Sequence, residues 1–195
     1  MLEAPEEKEF RMTAPVQSLT RALMFAAQKH TDQRRKGVRA EPYVNHLIDV
    51  VDTLARHTGG ADIELLMAGA LHDTIEDTGT TYEELKREFG ENVADIVREC
   101  TDDKSLPKME RKRLQAENAP HKSERARMVK MADKISNLKS ILDSPPPDWD
   151  DARKLEYFNW SKSVVDGCRG VNAGLEREFD DLHKKGLATF KPKAA

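Results

Sequence analysis

Cysteine is almost missing from this chain. Cys100 and Cys168 are the only two in 195 residues, and they form no Cys-x-x-Cys motif. No disulfide framework is expected, and a reducing, cytoplasmic setting fits. Long apolar runs are missing too, the longest falling far short of the roughly 20 residues that span a bilayer. The opening Met1-Leu2-Glu3-Ala4-Pro5-Glu6-Glu7 is acidic and has no apolar core, which argues against a secretory signal. Nor is there an excess of positive charge, since 32 Lys and Arg face 35 Asp and Glu for a net charge of -3. The chain as a whole has no pull on nucleic acid or anionic membrane. Its basic stretches also lack the interleaved aromatics that stack bases. Any anionic substrate must then be held by a local basic cluster. Oligomeric state cannot be read from these features.

What is present suits one domain with a heavily charged surface: 38% hydrophobic and 34% charged residues. We place it at residues 14–186, between a polar tail at 1–13 expected to be disordered and a loose tail at 187–195. Apolar residues recur at helical spacing in each candidate element, and no stretch reads as a strand. The expected fold class is all-α, a single bundle of roughly eight to ten helices.

One stretch organises the rest. Leu65-Leu66-Met67-Ala68-Gly69-Ala70-Leu71 is apolar nearly all round, the mark of a buried helix. It runs directly into His72-Asp73-Thr74-Ile75-Glu76-Asp77. Burying such groups is costly unless they are paired or hold a metal. If the helix continues through Ile75, the i,i+4 pairs His72–Glu76 and Asp73–Asp77 point to one side. His72 and Asp73 could then share a cation, with Glu76 and Asp77 one turn further on. For an isolated His-Asp pair a satisfied helix end is the better account. Four such groups after an all-apolar helix shift the balance toward a site.

The other candidates lie far away in sequence. Arg34-Arg35-Lys36-Gly37-Val38-Arg39 is a loop that reads either as solvated surface or as a phosphate clamp. His46 falls among Val44, Leu47, Val50, Val51 and Leu54, where a lone His is usually a core residue. In the helix at about 124–142, Asp133 and Asn137 are i,i+4 and flank the apolar stripe. Asp133 suits an ion pair with Lys130 or Lys134 equally well. Arg111-Lys112-Arg113 reads mostly as a solvated face. Arg153 and Tyr157 share one face of the last long helix. Gathered together, His46, His72, Asp73 and Asp133 would suit Mn²⁺, Fe²⁺ or Zn²⁺ better than Ca²⁺.

At this point the chain resembles a known family. A His, then His-Asp, then a distant Asp is the pattern of the HD-domain phosphohydrolases. Arg35-Lys36, Pro42-Tyr43-Val44-Asn45-His46 and Leu71-His72-Asp73-Thr74-Ile75-Glu76-Asp77-Thr78 resemble the hydrolase half of RelA/SpoT proteins. Thr101-Asp102-Asp103-Lys104, Ala119-Pro120-His121-Lys122-Ser123 and Lys130-Met131-Ala132-Asp133-Lys134-Ile135-Ser136-Asn137-Leu138 are similar to small alarmone hydrolases. The resemblance implies hydrolysis of the 3′-pyrophosphate of ppGpp and pppGpp, giving pyrophosphate and GDP or GTP, usually with Mn²⁺. It implies His46, His72, Asp73 and Asp133 as ligands, and Glu76 and Asp77 as the groups that orient and deprotonate the attacking water. Arg35, Lys36 and Asn137 would face the substrate, with Arg153 and Tyr157 at the rim. Adenosine analogues of the alarmone and the 2′-phosphate of NADPH are rival substrates for the same site, and a non-catalytic nucleotide-binding module is a further rival. One departure stands out: Val38-Arg39-Ala40-Glu41 lacks the Gly that commonly precedes Pro-Tyr in relatives.

Overall fold

The computed structural model describes residues 15–191. The tail expected at 1–13, and the last part of the tail expected at 187–195, lie outside the described residues. Helices α1 (Pro15–Lys29), α2 (Val44–Thr58) and α3 (Ile63–Leu71) come first, and α4 (Thr74–Asp77) is a single turn. Then come α5 (Tyr82–Phe89), α6 (Glu91–Cys100) and α7 (Lys108–Asn118), and a 3-10 turn (Ala119–His121) leads on to α8 (Glu124–Asp143). Helices α9 (Asp151–Cys168) and α10 (Ala173–Thr189) complete the bundle. Among the described residues the only β-pairing is one bridge, Arg34 with Pro42, and no helix is long and apolar enough to cross a membrane.

Two buried helices form the axis of the bundle. All of Leu65 to Leu71 in α3 is buried, and α3 packs against α1, α2, α6 and α8. Burying a Leu or Met side chain contributes about 1.5–3 kcal/mol, so this one helix anchors the core. Gly69 lets α2 approach closely: a Cβ there would meet Leu54 Cδ1 at 2.6 Å. Helix α3 starts where Asp62 accepts from Leu65 N at 3.1 Å, with Asp62 itself held by Arg125 at 2.8 Å. Helix α8 starts where Ser123 Oγ accepts from Ala126 N at 3.2 Å, and it packs on α2, α6, α9 and α10.

Two expectations need correction. The helix through Leu71 does not run on through Ile75. It stops at Leu71, a turn follows at His72-Asp73, and Asp73 has φ -101 and ψ -1. Local side chains compete for the carbonyls that would continue the ladder. His72 Nδ1 bonds Gly69 O at 2.9 Å, and Thr74 Oγ1 donates to Leu71 O at 2.6 Å. The segment after Gly186 is not loose as far as it is described. Helix α10 continues to Thr189, and buried Phe190 packs on Phe158 with ring centroids 5.8 Å apart. The Phe158 ring presses so closely on Gly186 that a Cβ there would lie 2.0 Å from Cε1.

Candidate metal centre and substrate cleft

The turn at His72-Asp73 delivers both side chains to one point at the end of α3, facing His46 of α2 and Asp133 of α8. His72 Nε2 lies 3.0 Å from Asp73 Oδ2 and 3.8 Å from Asp133 Oδ1. His46 Nε2 lies 3.4 Å from Asp133 Oδ1 and 3.7 Å from Asp73 Oδ2. Ligand atoms about 2.1 Å from one ion sit roughly 3.0–3.4 Å apart at octahedral or tetrahedral angles. Two of the four separations fall in that range and two are slightly wider. His46, His72 and Asp133 form a group whose ligand atoms lie within 4.8 Å of one another and could hold a metal ion, with Asp73 Oδ2 beside both imidazoles.

The hydrogen bonding points the same way. Both imidazoles use Nδ1 elsewhere, His46 on Ser136 Oγ at 2.9 Å and His72 on Gly69 O at 2.9 Å. Since a carbonyl only accepts, His72 carries its proton on Nδ1 and turns the Nε2 lone pair inward. Both Nε2 atoms are buried without a hydrogen-bond partner. Lone pairs and two carboxylates converge there with no donor between them, an arrangement that a divalent cation satisfies. Burial opposes charge on His72, but with no cation between them Asp73 and Asp133 would outweigh it, drawing a second proton onto the His72 Nε2 and pushing its pKa up to about 10; a bound cation takes the place of that proton. Burial alone would raise the two carboxyls; His72, and for Asp133 the Lys134 ammonium at 2.9 Å, hold them well below the usual range. Asp133 thus makes its ion pair through Oδ2 while Oδ1 faces the imidazoles, so the ion pair to Lys134 leaves that second oxygen directed at the candidate centre.

The paired acids sit in different surroundings. Glu76 accepts from Asp102 N at 3.0 Å, and Arg111 approaches its other oxygen at 3.9 Å. Burial raises the Glu76 pKa, the Asp102 N–H opposes this, and the carboxylates of Asp102 and Asp73 add to the rise. Asp77 accepts from Gln33 Nε2 at 2.8 Å and pairs with Lys104. Tyr43 donates to Asp73 Oδ2 at 2.5 Å, and burial followed by the Asp73 charge keeps its phenol protonated.

Glu76 and Asp77 open onto a cleft of about 490 Å³ whose walls include Arg35, Lys36, Asn137, Arg153 and Tyr157. Arg153 lies over the Trp149 ring at 4.7 Å. Asn137 bridges Arg35, at 3.0 Å, and Asp133, at 2.6 Å. The sequence reading missed Lys108, Arg111, Lys112, Trp149 and Trp160, which also line the cleft. Arg111-Lys112-Arg113 is a split set and not a solvated face. Arg113 turns outward to Glu110 and Glu117, while Arg111 and Lys112 turn inward. The acids at i-3 and i+4 of Arg113 were a usable signal for that division. Nothing in the sequence marked Gln33, and Tyr43 stood in the Pro42-Tyr43 motif with no role assigned to it.

A family model described as HD domain matches residues 22–156. The chain belongs to the HD-domain family. Within it, a Xenopus tropicalis protein named guanosine-3′,5′-bis(diphosphate) 3′-pyrophosphohydrolase MESH1 is 47% identical over 171 residues, 88% of this chain and 96% of that one. The human protein of the same name is 47% identical over 174 residues, 89% of this chain and 97% of its own. A solved structure, described as a metazoan ortholog of SpoT that hydrolyzes ppGpp, superposes with a TM-score of 0.84 at 45% identity. That match covers 89% of this chain and 97% of the solved one. The likeness to the HD family therefore extends over nearly all of the described bundle.

Proposed function

We propose that this protein is a metal-dependent 3′-pyrophosphohydrolase of ppGpp and pppGpp, releasing pyrophosphate and GDP or GTP. The observation that carries the reading is the convergence of two orphaned imidazole Nε2 atoms with the Asp133 carboxylate, and with Asp73 against both imidazoles, beside a cation-lined cleft. His46, His72, Asp73 and Asp133 would hold one divalent ion, with Mn²⁺ our choice for this mixed nitrogen and oxygen set. Bound there, the ion supplies Lewis acidity and offsets phosphate charge.

The chain's own groups divide the remaining work. Arg35, Lys36, Arg111 and Lys112 offset the charge of a pyrophosphate ester, which otherwise repels an incoming oxygen nucleophile. Glu76 takes a proton from the attacking water, and burial, which raises its pKa, makes it a stronger base than an exposed carboxylate. Tyr157 and Trp149 give the nucleoside an apolar wall. The names of the relatives favour a guanosine alarmone over the adenosine and NADPH readings. We place the activity in the cytoplasm, on the cysteine usage.

The test is a substrate panel. Purified protein with Mn²⁺ is offered ppGpp, its adenosine counterpart and NADPH, and pyrophosphate or phosphate release is timed. Pyrophosphate release from ppGpp at the highest kcat/KM supports the reading. No release from ppGpp, with either rival turned over, would overturn it.

A further inference from the structure

Gln33 and Tyr43 close the neck of the basic loop. Tyr43 N donates to Gln33 O at 3.1 Å, and Arg35 N donates to Glu41 O at 2.8 Å. The pairing of Arg34 with Pro42 lies between them. From this neck each side chain reaches a different carboxylate. Tyr43 donates to Asp73 Oδ2 at 2.5 Å, and Gln33 Nε2 donates to Asp77 Oδ2 at 2.8 Å. The Gln33 amide is held in that orientation. Its oxygen lies 2.5 Å from His30 Nδ1, and because an amide oxygen only accepts, the imidazole N–H must donate to it. His30 is buried and stacks on Tyr43 with centroids 5.0 Å apart, so the two threads share one support. A third thread, Arg35 to Asn137 to Asp133, runs from the loop itself.

We propose that Gln33 and Tyr43 are positioning residues, a two-point staple that registers the loop cations against the hydrolytic carboxylates. The proposal rests on the hydrolytic reading above. An exposed loop carrying Arg34, Arg35, Lys36 and Arg39 would otherwise sample many shapes, and ordering it on substrate would draw on binding energy. With the neck tied to Asp73 and Asp77, Arg35 and Lys36 meet the phosphates at a set distance from the nucleophile. A shift of about 1 Å in such a register costs on the order of a hundredfold in rate. Tyr43 also orients the carboxylate of a metal ligand, the kind of support whose loss weakens metal binding about 10–100-fold.

The experiment uses the full-length chain and two variants that remove a hydrogen bond while keeping bulk. Tyr43→Phe keeps the ring on His30; it should raise the Mn²⁺ Kd, measured by calorimetry without nucleotide, at least tenfold. Gln33→Met should leave the Mn²⁺ Kd unchanged, lower kcat for ppGpp at least tenfold and move KM less than threefold. Should Gln33→Met fail to fold, Gln33→Glu keeps the acceptor for His30 but has no donor for Asp77, and the same split is expected. Either variant matching wild type in its own readout, or a rise in KM with kcat intact, would overturn the staple. Wild-type inactivity on ppGpp would count against the hydrolytic reading instead, and it is read separately from the nucleotide-free Mn²⁺ titration.

Discussion

The amide nitrogen of Asn137 lies 2.6 Å from Oδ1 of Asp133, the oxygen that faces both imidazoles of the centre. The two residues are one helical turn apart on α8, so the bond is local and survives movements of the loops. It orients the carboxylate and leaves the Asn137 oxygen for Arg35. Asn137→Ala should therefore weaken Mn²⁺ binding about 10–100-fold and raise KM as well. Calorimetry and steady-state kinetics on one preparation check both. An unchanged Mn²⁺ Kd would remove Asn137 from the metal centre and leave it a substrate contact only.

Glu76→Gln separates proton transfer from metal binding. The variant should hold Mn²⁺ as wild type does and lose about 10²–10⁴-fold in kcat. The wild-type rate should fall on the acid side, because a base must be ionised to act. The raised Glu76 pKa places that limb above the ordinary 4.5. Loss of the acid limb in Glu76→Gln is the expected signature, and full activity in the variant would assign the base elsewhere.

Arg111 and Lys36 both line the cleft, the first on α7 and the second on the basic loop. Arg111→Ala and Lys36→Ala should each raise KM for ppGpp about tenfold, as expected for one lost charge-assisted contact to phosphate. Arg113→Ala, on the outer face with Glu110 and Glu117, should leave KM unchanged. Equal KM effects at Arg111 and Arg113 would show that the charge acts at long range and not by contact.

Glu178 on α10 ties three elements together. Arg56 at 3.1 Å and His57 at 2.5 Å come from α2, and Lys139 at 2.8 Å comes from α8. Burial works against its ionisation, but the hydrogen bonds from these three partners lower its pKa to about 2. A carboxyl depressed in the folded state stabilises fully above its unfolded value and less as pH falls through the folded one. Stability from this cluster should thus decline from about pH 4.5 toward pH 2. Glu178→Gln should lower stability by about 1–3 kcal/mol at pH 7 and flatten that acid decline. Denaturant melts at pH 7 and pH 3 measure both effects.

Much of this protein was legible locally. The apolar stripe at about 124–142 marked α8, and the Leu65–Leu71 run marked a buried helix. The density of His72, Asp73, Glu76 and Asp77 after that run marked a site, because a core has no other use for such groups. Local signals failed where two local preferences competed. The helical pattern favoured continuation past Leu71, while the His72 and Thr74 side chains took the carbonyls that continuation needs. They failed again at Phe190, whose burial depends on Phe158, 32 positions away in the chain.

Sequence alone determined the helical class, the chemistry of the candidate ligand set and the presence of a basic loop, since each is written in residue type and short-range spacing. Only the tertiary structure decided that His46, His72, Asp73 and Asp133 meet, that Arg111 faces the cleft while Arg113 does not, and that Gln33 and Tyr43 reach Asp77 and Asp73. Those facts depend on how helices distant along the chain cross and stack. Crossing is set by the summed fit of many buried side chains, and no short window of residues contains that sum.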